Sequence, residues 1–243
     1  MRLFLDVPYA EKDEAKKLGA KWNPKVKKWY TDSPREKYLK FSKWLLKDTD
    51  DAFIATENIF LVEGQQKCWK CGNTTKVIGL GLYEGVHIYG DIDESQYELI
   101  ESETDPGDEL HLSWVDSEDD IPPKLLQYIK ENYSVKTGYS KTIGGKCFAN
   151  HCDCCGALQG NWFLFDEPDS PLSSCIGGNE LIERMSNLKI YCIPIDDDLQ
   201  LNWNIGICSN DYAYFEYGKF EDLILSSNPQ NICVSYEELY NIR

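Results

Sequence analysis

The sequence predicts an α+β protein, in which a small N-terminal strand-helix-hairpin module precedes a larger α+β body built on a split four-cysteine zinc ribbon. Three observations support this fold class. Two Cys-x-x-Cys-Gly motifs lie 80 residues apart. The first fifty residues alternate short apolar strands with helix-forming stretches. The remainder intersperses strands and helices with no fixed-period repeat, and 243 residues are enough for one large or two small domains.

The N-terminal module is predicted to span residues 1–48. Its patterns predict, in chain order, a strand at 3–8, a helix at 10–18, strands at 20–22 and 28–30, and a helix at 35–46. Gly19 follows the first helix and fits a C-cap, because glycine adopts positive φ without steric cost. Residues 47–52 are predicted to form a linker.

The body is predicted as residues 56–175, carrying the zinc ribbon with an acidic insert at 77–123, and an α+β part at 176–243 packed with it as one body. Its predicted elements are strands at 58–62, 76–83, 86–89, 161–165, 189–195, 199–207 and 213–217, and helices from Pro122 to 133, at 179–187 and at 236–242. The stretch 91–120 holds apolar side chains between its carboxylates, so we expect it to form strands rather than a disordered tail.

Two cysteine pairs carry the strongest chemical signal in the sequence. Cys68 and Cys71, followed by Gly72, form the first, and Cys152 and Cys155, followed by Gly156, form the second. Two thiolates that bind one ion at about 2.3 Å require a tight backbone reversal, after which glycine is favoured. We therefore predict one structural zinc ion bound by these four sulfurs, with no open coordination position for catalysis.

Three neighbouring residues are alternative ligands: Cys147, His151 and Cys154. Cys154 lacks a partner at knuckle spacing with a trailing glycine, and His151 could orient a thiolate from outside the ligand set. The remaining cysteines, at 175, 192, 208 and 233, lie in apolar surroundings and are predicted to be buried thiols. With no recognisable export signal, reduced thiols and metal are favoured over disulfides.

Charge is distributed unevenly along the chain. Residues 1–50 hold 13 basic and 8 acidic residues, a net of +5, whereas the whole chain has a net charge of −16, which leaves −21 for the rest. The segment 77–123 holds 14 acidic residues and no lysine or arginine. A surface of this kind repels nucleic acid and attracts cationic partners, although it also serves solubility alone.

The sequence favours a non-enzyme in the cytoplasm. No metalloprotease, nucleophile-elbow, P-loop or dinucleotide-binding motif is present. The calcium-loop-like start at Asp91 lacks the turn glycine, where Gln96 stands. No apolar stretch is long enough to span a bilayer, and no signal peptide is evident.

Residues 20–30 interleave lysines with aromatic residues, a composition that suits a nucleic-acid surface. We predict that Lys21, Lys27 and Lys28 contact phosphates and that Trp22 and Trp29 stack on bases or support the surface. The same residues could equally supply the core and the solvated face of a small module.

Residues 2–31 closely resemble a small domain of unknown function of bacterial proteins, which is also appended to conjugative-transfer primases and related DNA-processing polypeptides of plasmids. The rest of the chain is similar to uncharacterised bacterial proteins in which this module precedes a Cys-Trp-Lys-Cys knuckle and a later segment like 150–160. The resemblance implies a bacterial or phage protein with this fold and metal site. It implies no firm activity.

Two functional hypotheses follow. The first is a zinc-binding adaptor that contacts single-stranded or duplex DNA, or a nucleoprotein, through its basic head, while the acidic insert binds a protein partner. The second is an acidic protein-interaction module, such as an immunity, anti-defence or DNA-mimic protein, that neutralises a basic partner. Neither hypothesis involves a membrane.

Overall fold

A computed structural model describes residues 1–46, 51–83, 85–91, 96–102, 109–167, 169–201, 203–206 and 208–225. The chain divides into two compact units. The first unit combines Met1–Glu57, Glu84–Asp105 and Ile195–Asn202, and the second combines Asn58–Tyr83, Pro106–Pro194 and Trp203–Arg243. Both units are therefore assembled from segments that are distant in sequence.

Strands and helices are both present throughout, which confirms the α+β class. The strands are β1 (Leu3–Leu5), β2 (Lys21–Asn23), β3 (Lys28–Thr31), β4 (Asp51–Ala55), β5 (Asn58–Lys67), β6 (Thr74–Leu82), β7 (Gly85–Asp91), β8 (Gln96–Ser102), β9 (His111–Trp114), β10 (Val135–Ser140), β11 (Gly145–His151), β12 (Leu158–Gln159), β13 (Lys189–Pro194), β14 (Leu199–Leu201), β15 (Asn204–Ile205) and β16 (Lys219–Asp222).

The α-helices are α1 (Lys12–Lys17), α2 (Ser42–Leu45), α3 (Pro123–Asn132), α4 (Trp162–Phe165), α5 (Gly178–Ser186) and α6 (Tyr212–Tyr217). Short 3-10 turns span Tyr9–Glu11, Arg35–Phe41 and Glu118–Asp120. In the part of the chain that the structure covers, no helix is both long enough and apolar enough to cross a bilayer.

The first unit contains the N-terminal module and a second antiparallel sheet. Strands β1, β3 and β2 form a three-stranded sheet, and β14, β4, β7 and β8 form a four-stranded one. One apolar core joins residues of the module, such as Tyr38 and Trp44, to Ile54 and Ile88 of the larger sheet. The buried Asp198 carboxylate accepts a hydrogen bond from the Tyr38 hydroxyl at 2.7 Å.

The second unit is built on a six-stranded sheet in the order β15-β9-β6-β5-β13-β16, in which β13 and β16 are parallel and the other pairs are antiparallel. A separate sheet, β10-β11-β12, carries the second cysteine pair at its end. Helices α5 and α6 contribute Met185 and Tyr214 to the core on the large sheet. This arrangement places the β5–β6 and β11–β12 turns, one cysteine pair in each, within the same unit.

Most sequence-based elements are confirmed. Strands β8 and β9 confirm that the described parts of the acidic stretch contain strands. Gly19 has φ of +99°, as expected of a helix C-cap. Helices α3 and α5 and strand β13 lie within a residue or two of their predicted bounds.

Three strand predictions are wrong, and the helix predicted at 236–242 lies outside the described residues. The predicted strand at 161–165 is instead the helical turn α4, because this conformation buries Leu164 while Trp162 and Phe163 project into solvent. Residues 213–217 belong to α6, which follows a turn in which the Asp211 carboxylate accepts the Cys208 N–H at 2.9 Å. The predicted strand 199–207 is divided between β14 and β15, which pair in different sheets.

Candidate metal centre and N-terminal surface

The two cysteine turns have the same backbone hydrogen bonding. In the first, Gly72 N–H donates to the Cys68 carbonyl at 2.9 Å, and in the second Gly156 N–H donates to the Cys152 carbonyl at 2.9 Å. Gly72 has φ of +74° and Gly156 has φ of +68°. An L-residue with a side chain rarely adopts this region, so the glycine after each pair is a conformational requirement, as the sequence predicts.

The structure brings the four predicted sulfurs together. The Sγ atoms of Cys68, Cys71, Cys152 and Cys155 all lie within 4.8 Å of one another. Cys68 Sγ lies 3.7 Å from Cys155 Sγ, and Cys71 Sγ lies 3.7 Å from Cys152 Sγ. A tetrahedron with metal–sulfur bonds of about 2.3 Å has sulfur–sulfur edges of about 3.8 Å, so these distances match a tetrathiolate site. The donor set therefore fits a thiophilic metal ion.

The three alternative ligands lie outside this cluster. Cys154 is exposed, and its Sγ accepts from Asn73 Nδ2 at 3.1 Å. His151 is buried, with Nδ1 at 2.9 Å from the Ala149 carbonyl oxygen, and Cys147 is a buried thiol. Among the residues that the structure describes, the group of convergent metal-ligand atoms comprises only the four predicted cysteines.

Hydrogen bonds and neighbouring thiols shift the pKa values of Cys68 and Cys155 in opposite directions. Desolvation raises the pKa of Cys68, but hydrogen bonds from the Cys71 and Lys70 backbone and from the neighbouring thiols outweigh it, and the pKa falls to about 6. The Ala157 backbone lowers the pKa of Cys155, but desolvation and the other thiols raise it to about 12. Thiolates this close together repel one another, and a bound metal cation would compensate their charge.

Side-chain hydrogen bonds fix the two cysteine turns to each other. The Thr75 hydroxyl donates to the Asp153 carboxylate at 3.0 Å, and the Asp153 N–H donates to the same hydroxyl at 2.9 Å. The buried Asn150 side chain bonds both the N–H and the carbonyl of Ile78, at 2.8 and 2.9 Å. No sequence motif identifies these bracing residues. Asp153 lies inside the second motif, but a contact over some 80 residues leaves no local signal.

The remaining cysteines depart from the buried-thiol prediction, which is wrong at two positions. Cys175 is exposed, and Cys192 is in a disulfide bond. Cys208 is half-buried, and position 233 lies outside the described residues.

The predicted nucleic-acid residues lie on the β2–β3 hairpin. Trp22 is 49% exposed, whereas Trp29, its cross-strand partner, is 8% exposed and belongs to the core. Their ring centroids are 5.5 Å apart in an edge-to-face arrangement. Trp22 is therefore the ring available for stacking, and Trp29 supports it from beneath.

The three lysines of the hairpin have different surroundings. Lys21 Nζ lies 2.6 Å from Asp32 Oδ2, and Lys28 Nζ lies 3.3 Å from Asp6 Oδ1. Lys27 is exposed in the turn with φ of +54° and makes no ion pair within the described residues. Two of the three predicted phosphate contacts thus already have a carboxylate partner, which sequence spacing alone does not reveal.

Residues 2–45 match the family model of a domain of unknown function, DUF5710. Over 43 residues the chain is 46% identical to DNA primase TraC of Escherichia coli, a match that covers 18% of this chain and 3% of that protein. The resemblance of the N-terminal module to a primase-associated domain is therefore confirmed. No solved structure matches the chain.

The DUF5710 match includes the helical turns as well as the hairpin. It ends at residue 45, the last residue of α2, and most of the core side chains of the first unit lie within it. The cysteine cluster lies entirely beyond the matched residues, so the similarity to the primase carries no information about the metal centre.

Proposed function

We propose that this protein is a non-enzymatic zinc-binding adaptor that associates with nucleic acid or a nucleoprotein through its DUF5710 domain. The observation that carries the proposal is the 46% identity of this domain to DNA primase TraC. The exposed Trp22 ring and the turn lysine Lys27 supply stacking and phosphate-binding groups on one hairpin. The predicted cytoplasmic location stays a prediction.

Zinc is the ion that best suits the cysteine cluster. Four sulfurs at tetrahedral spacing are the ligand set of structural zinc sites, and they leave no position for a substrate or water. Cys68 and Cys152 are buried, so the ion would join the β5–β6 turn to the end of β11. Its role would be to hold these two segments together, which supports a structural function.

The zinc assignment is tested by metal analysis of protein purified without chelators. We expect one zinc ion per chain in the unmodified protein and in Cys154→Ser, and loss of zinc in Cys68→Ser. Cys154 is the matched control, because it is the same residue type at the same turn but lies outside the cluster. Absence of zinc from the unmodified protein, or equal zinc content in both variants, would contradict the assignment.

Nucleic-acid association is tested by fluorescence anisotropy with a labelled oligo(dT) strand over a salt series. We expect Lys27→Glu to weaken binding and to reduce the salt slope by about 0.7, the value for one phosphate contact on a single strand. Lys17→Glu is the control, because Lys17 is also exposed but lies on α1 rather than on the hairpin. If the unmodified chain does not bind at about 50 mM salt, or if both variants bind equally, the proposal fails.

The acidic-module hypothesis stays a second prediction. Glu118, one of the carboxylates of the 77–123 segment, already pairs with Lys130, and that contact lowers the pKa of its carboxyl group. Within the described side chains, part of the negative charge is thus compensated by the protein itself. Because the hairpin lysines are partly compensated too, it is the 46% identity of the DUF5710 domain to the primase that favours the nucleic-acid proposal.

A further inference from the structure

A wide groove in the second unit gathers exposed apolar side chains. Its volume is about 1500 Å³, and its lining includes Trp69, Tyr139, Ile143, Trp162 and Phe163. Each of these five side chains is between 60% and 71% exposed. Single exposed apolar residues are ordinary, but five around one groove form a patch of the kind that marks a binding surface.

The two tryptophan rings are held in place although they face solvent. Trp69 Nε1 donates to the Leu158 carbonyl at 2.8 Å, and Trp162 Nε1 donates to the Glu167 carboxylate. Trp69 also lies between Cys68 and Cys71 in the first cysteine turn. A partner would therefore meet rings that are already ordered, which reduces the entropy lost on binding.

The groove carries both signs of charge. Three carboxylates, Asp166, Glu167 and Asp169, line it within a few residues of Trp162 and make no ion pair with any residue that the structure describes. Burial and the neighbouring Glu167 raise the pKa of Asp166, so a nearby cation would be favourable there. Asp116 is a fourth carboxylate in the lining, and the lining cations are Lys67, Lys141 and Arg184, of which Arg184 already pairs with Glu180. A uniformly anionic strand of nucleic acid would face the three carboxylates, whereas a basic side chain would be attracted by them.

The volume of the groove favours a protein segment over a small molecule as its occupant. Pockets for small molecules have volumes of about 300–1,000 Å³, and this groove exceeds that range. Aromatic side chains and arginine are enriched where proteins contact one another, and the face of an indole ring attracts a guanidinium or ammonium group. A protein segment thus fits the size, the apolar side chains and the carboxylates of the groove together.

We propose that this groove binds an extended polypeptide segment of a partner protein, in which an arginine or lysine lies beside apolar side chains. The basic residue would contact the carboxylates at 166, 167 and 169, and the apolar residues would pack on Trp69 and Trp162. The proposal concerns a surface of the second unit and does not depend on nucleic-acid binding by the DUF5710 domain.

The test is selection from a random peptide library displayed on phage, with the full zinc-loaded chain as bait. We expect the enriched peptides to share a basic residue flanked by apolar ones. A synthetic labelled copy of the enriched sequence should then lose about tenfold or more of its affinity for Trp162→Ala, as hot-spot tryptophans do. Trp22→Ala is the control, because it removes an exposed tryptophan of the other unit and should leave peptide affinity unchanged.

Charge reversal supplies the second arm of the test. The double variant Asp166→Lys/Asp169→Lys, which leaves the Glu167 contact with Trp162 in place, should reject the basic peptide, while its zinc content and melting temperature report that the fold is retained. The proposal is overturned if no common sequence is enriched, if that sequence lacks a basic residue, or if both tryptophan variants bind it equally. An oligo(dT) strand whose binding is lost in Trp162→Ala but retained in Lys27→Glu would identify nucleic acid as the occupant and would also overturn it.

Discussion

Neutralising Asp32 should strengthen binding of single-stranded DNA by the hairpin of the DUF5710 domain. Asp32 Oδ2 lies 2.6 Å from Lys21 Nζ, and this hydrogen bond lowers the pKa of the Asp32 carboxyl group. The carboxylate therefore stays ionised over the usual working range of pH and competes with a phosphate for the same ammonium group. The variant Asp32→Asn removes that competitor and leaves Lys21 free to contact the strand.

The size of the effect follows from counterion release. One additional phosphate contact on a single strand steepens the dependence of log K on log salt by about 0.7. Taking that contribution as zero at about 1 M salt, the affinity should rise about eightfold at about 50 mM salt and about fourfold at about 150 mM salt. Because the Lys21–Asp32 pair is exposed on both sides, its removal should change the stability of the domain little.

The assay is anisotropy with labelled oligo(dT) at several salt concentrations, together with a melting curve for each variant. Asp13→Asn is the matched control, because Asp13 also loses one charge and also pairs with lysines, Lys12 and Lys16, but on α1. Equal affinities for Asp32→Asn and Asp13→Asn would refute the role of Lys21. Weaker binding by Asp32→Asn at an unchanged melting temperature would refute the predicted hairpin surface.

Two further predictions concern stability. Gly72→Ala should lower the free energy of unfolding by about 1 kcal/mol, because Gly72 has φ of +74°. Gly145→Ala should be nearly neutral, because Gly145 lies outside the positive-φ region and an added Cβ would meet open space. Equal effects of the two substitutions in melting experiments would contradict the assigned turn geometry. Asp166→Asn should raise the melting temperature at neutral pH, because the raised pKa of Asp166 means that its charged form destabilises the fold. This gain should fade as the pH falls through the raised pKa of folded Asp166 and should be absent below the unfolded aspartate pKa of about 3.9, and a gain that does not change with pH would contradict the reasoning.

Local signals in the sequence were sufficient for the elements whose side chains alternate or recur clearly. The strand of Lys189–Pro194 and the helix of Gly178–Ser186 follow from periodicity alone. The stretch Trp162–Phe165 defeats periodicity, because consecutive large apolar residues fit a buried strand and a helical turn equally well. The helical turn is selected by the burial of Leu164 against the rest of the fold, which is a tertiary property.

The candidate sites show the same difference between features that local sequence predicts and features that depend on tertiary structure. The positions of the four cysteines and the two glycines follow from the geometry of a thiolate turn, so motif spacing predicts them. The partners of the hairpin lysines and the groove around Trp162 have no local motif. They arise where segments distant in sequence meet, as when Trp69 of one turn donates to Leu158 of another sheet. A sequence shows which residues are aromatic, but it does not show which of them converge on one groove.

The long segment between the two cysteine pairs adds little to the free-energy cost of forming the metal site. Closing the 80-residue segment between Cys71 and Cys152 costs only about 1.4 kcal/mol more than closing one of about 17 residues, because the closure entropy grows with the logarithm of loop length. Structural zinc in small domains provides apparent binding energies of about 10–16 kcal/mol. The cluster can therefore hold the two segments together across the long insertion.

Zinc removal should therefore abolish the proposed peptide binding but leave the proposed nucleic-acid binding intact. Trp69 is part of the first cysteine turn, so loss of the ion releases one wall of the groove, whereas the core of the first unit contains none of the four ligands. After treatment of the full chain with a chelator, we expect the selected peptide to lose its affinity while oligo(dT) binding persists, both followed by anisotropy. Peptide binding that survives zinc removal would show that the groove does not depend on the cysteine turn. Loss of oligo(dT) binding as well would show that the DUF5710 surface requires the metal, contrary to the separate cores of the two units.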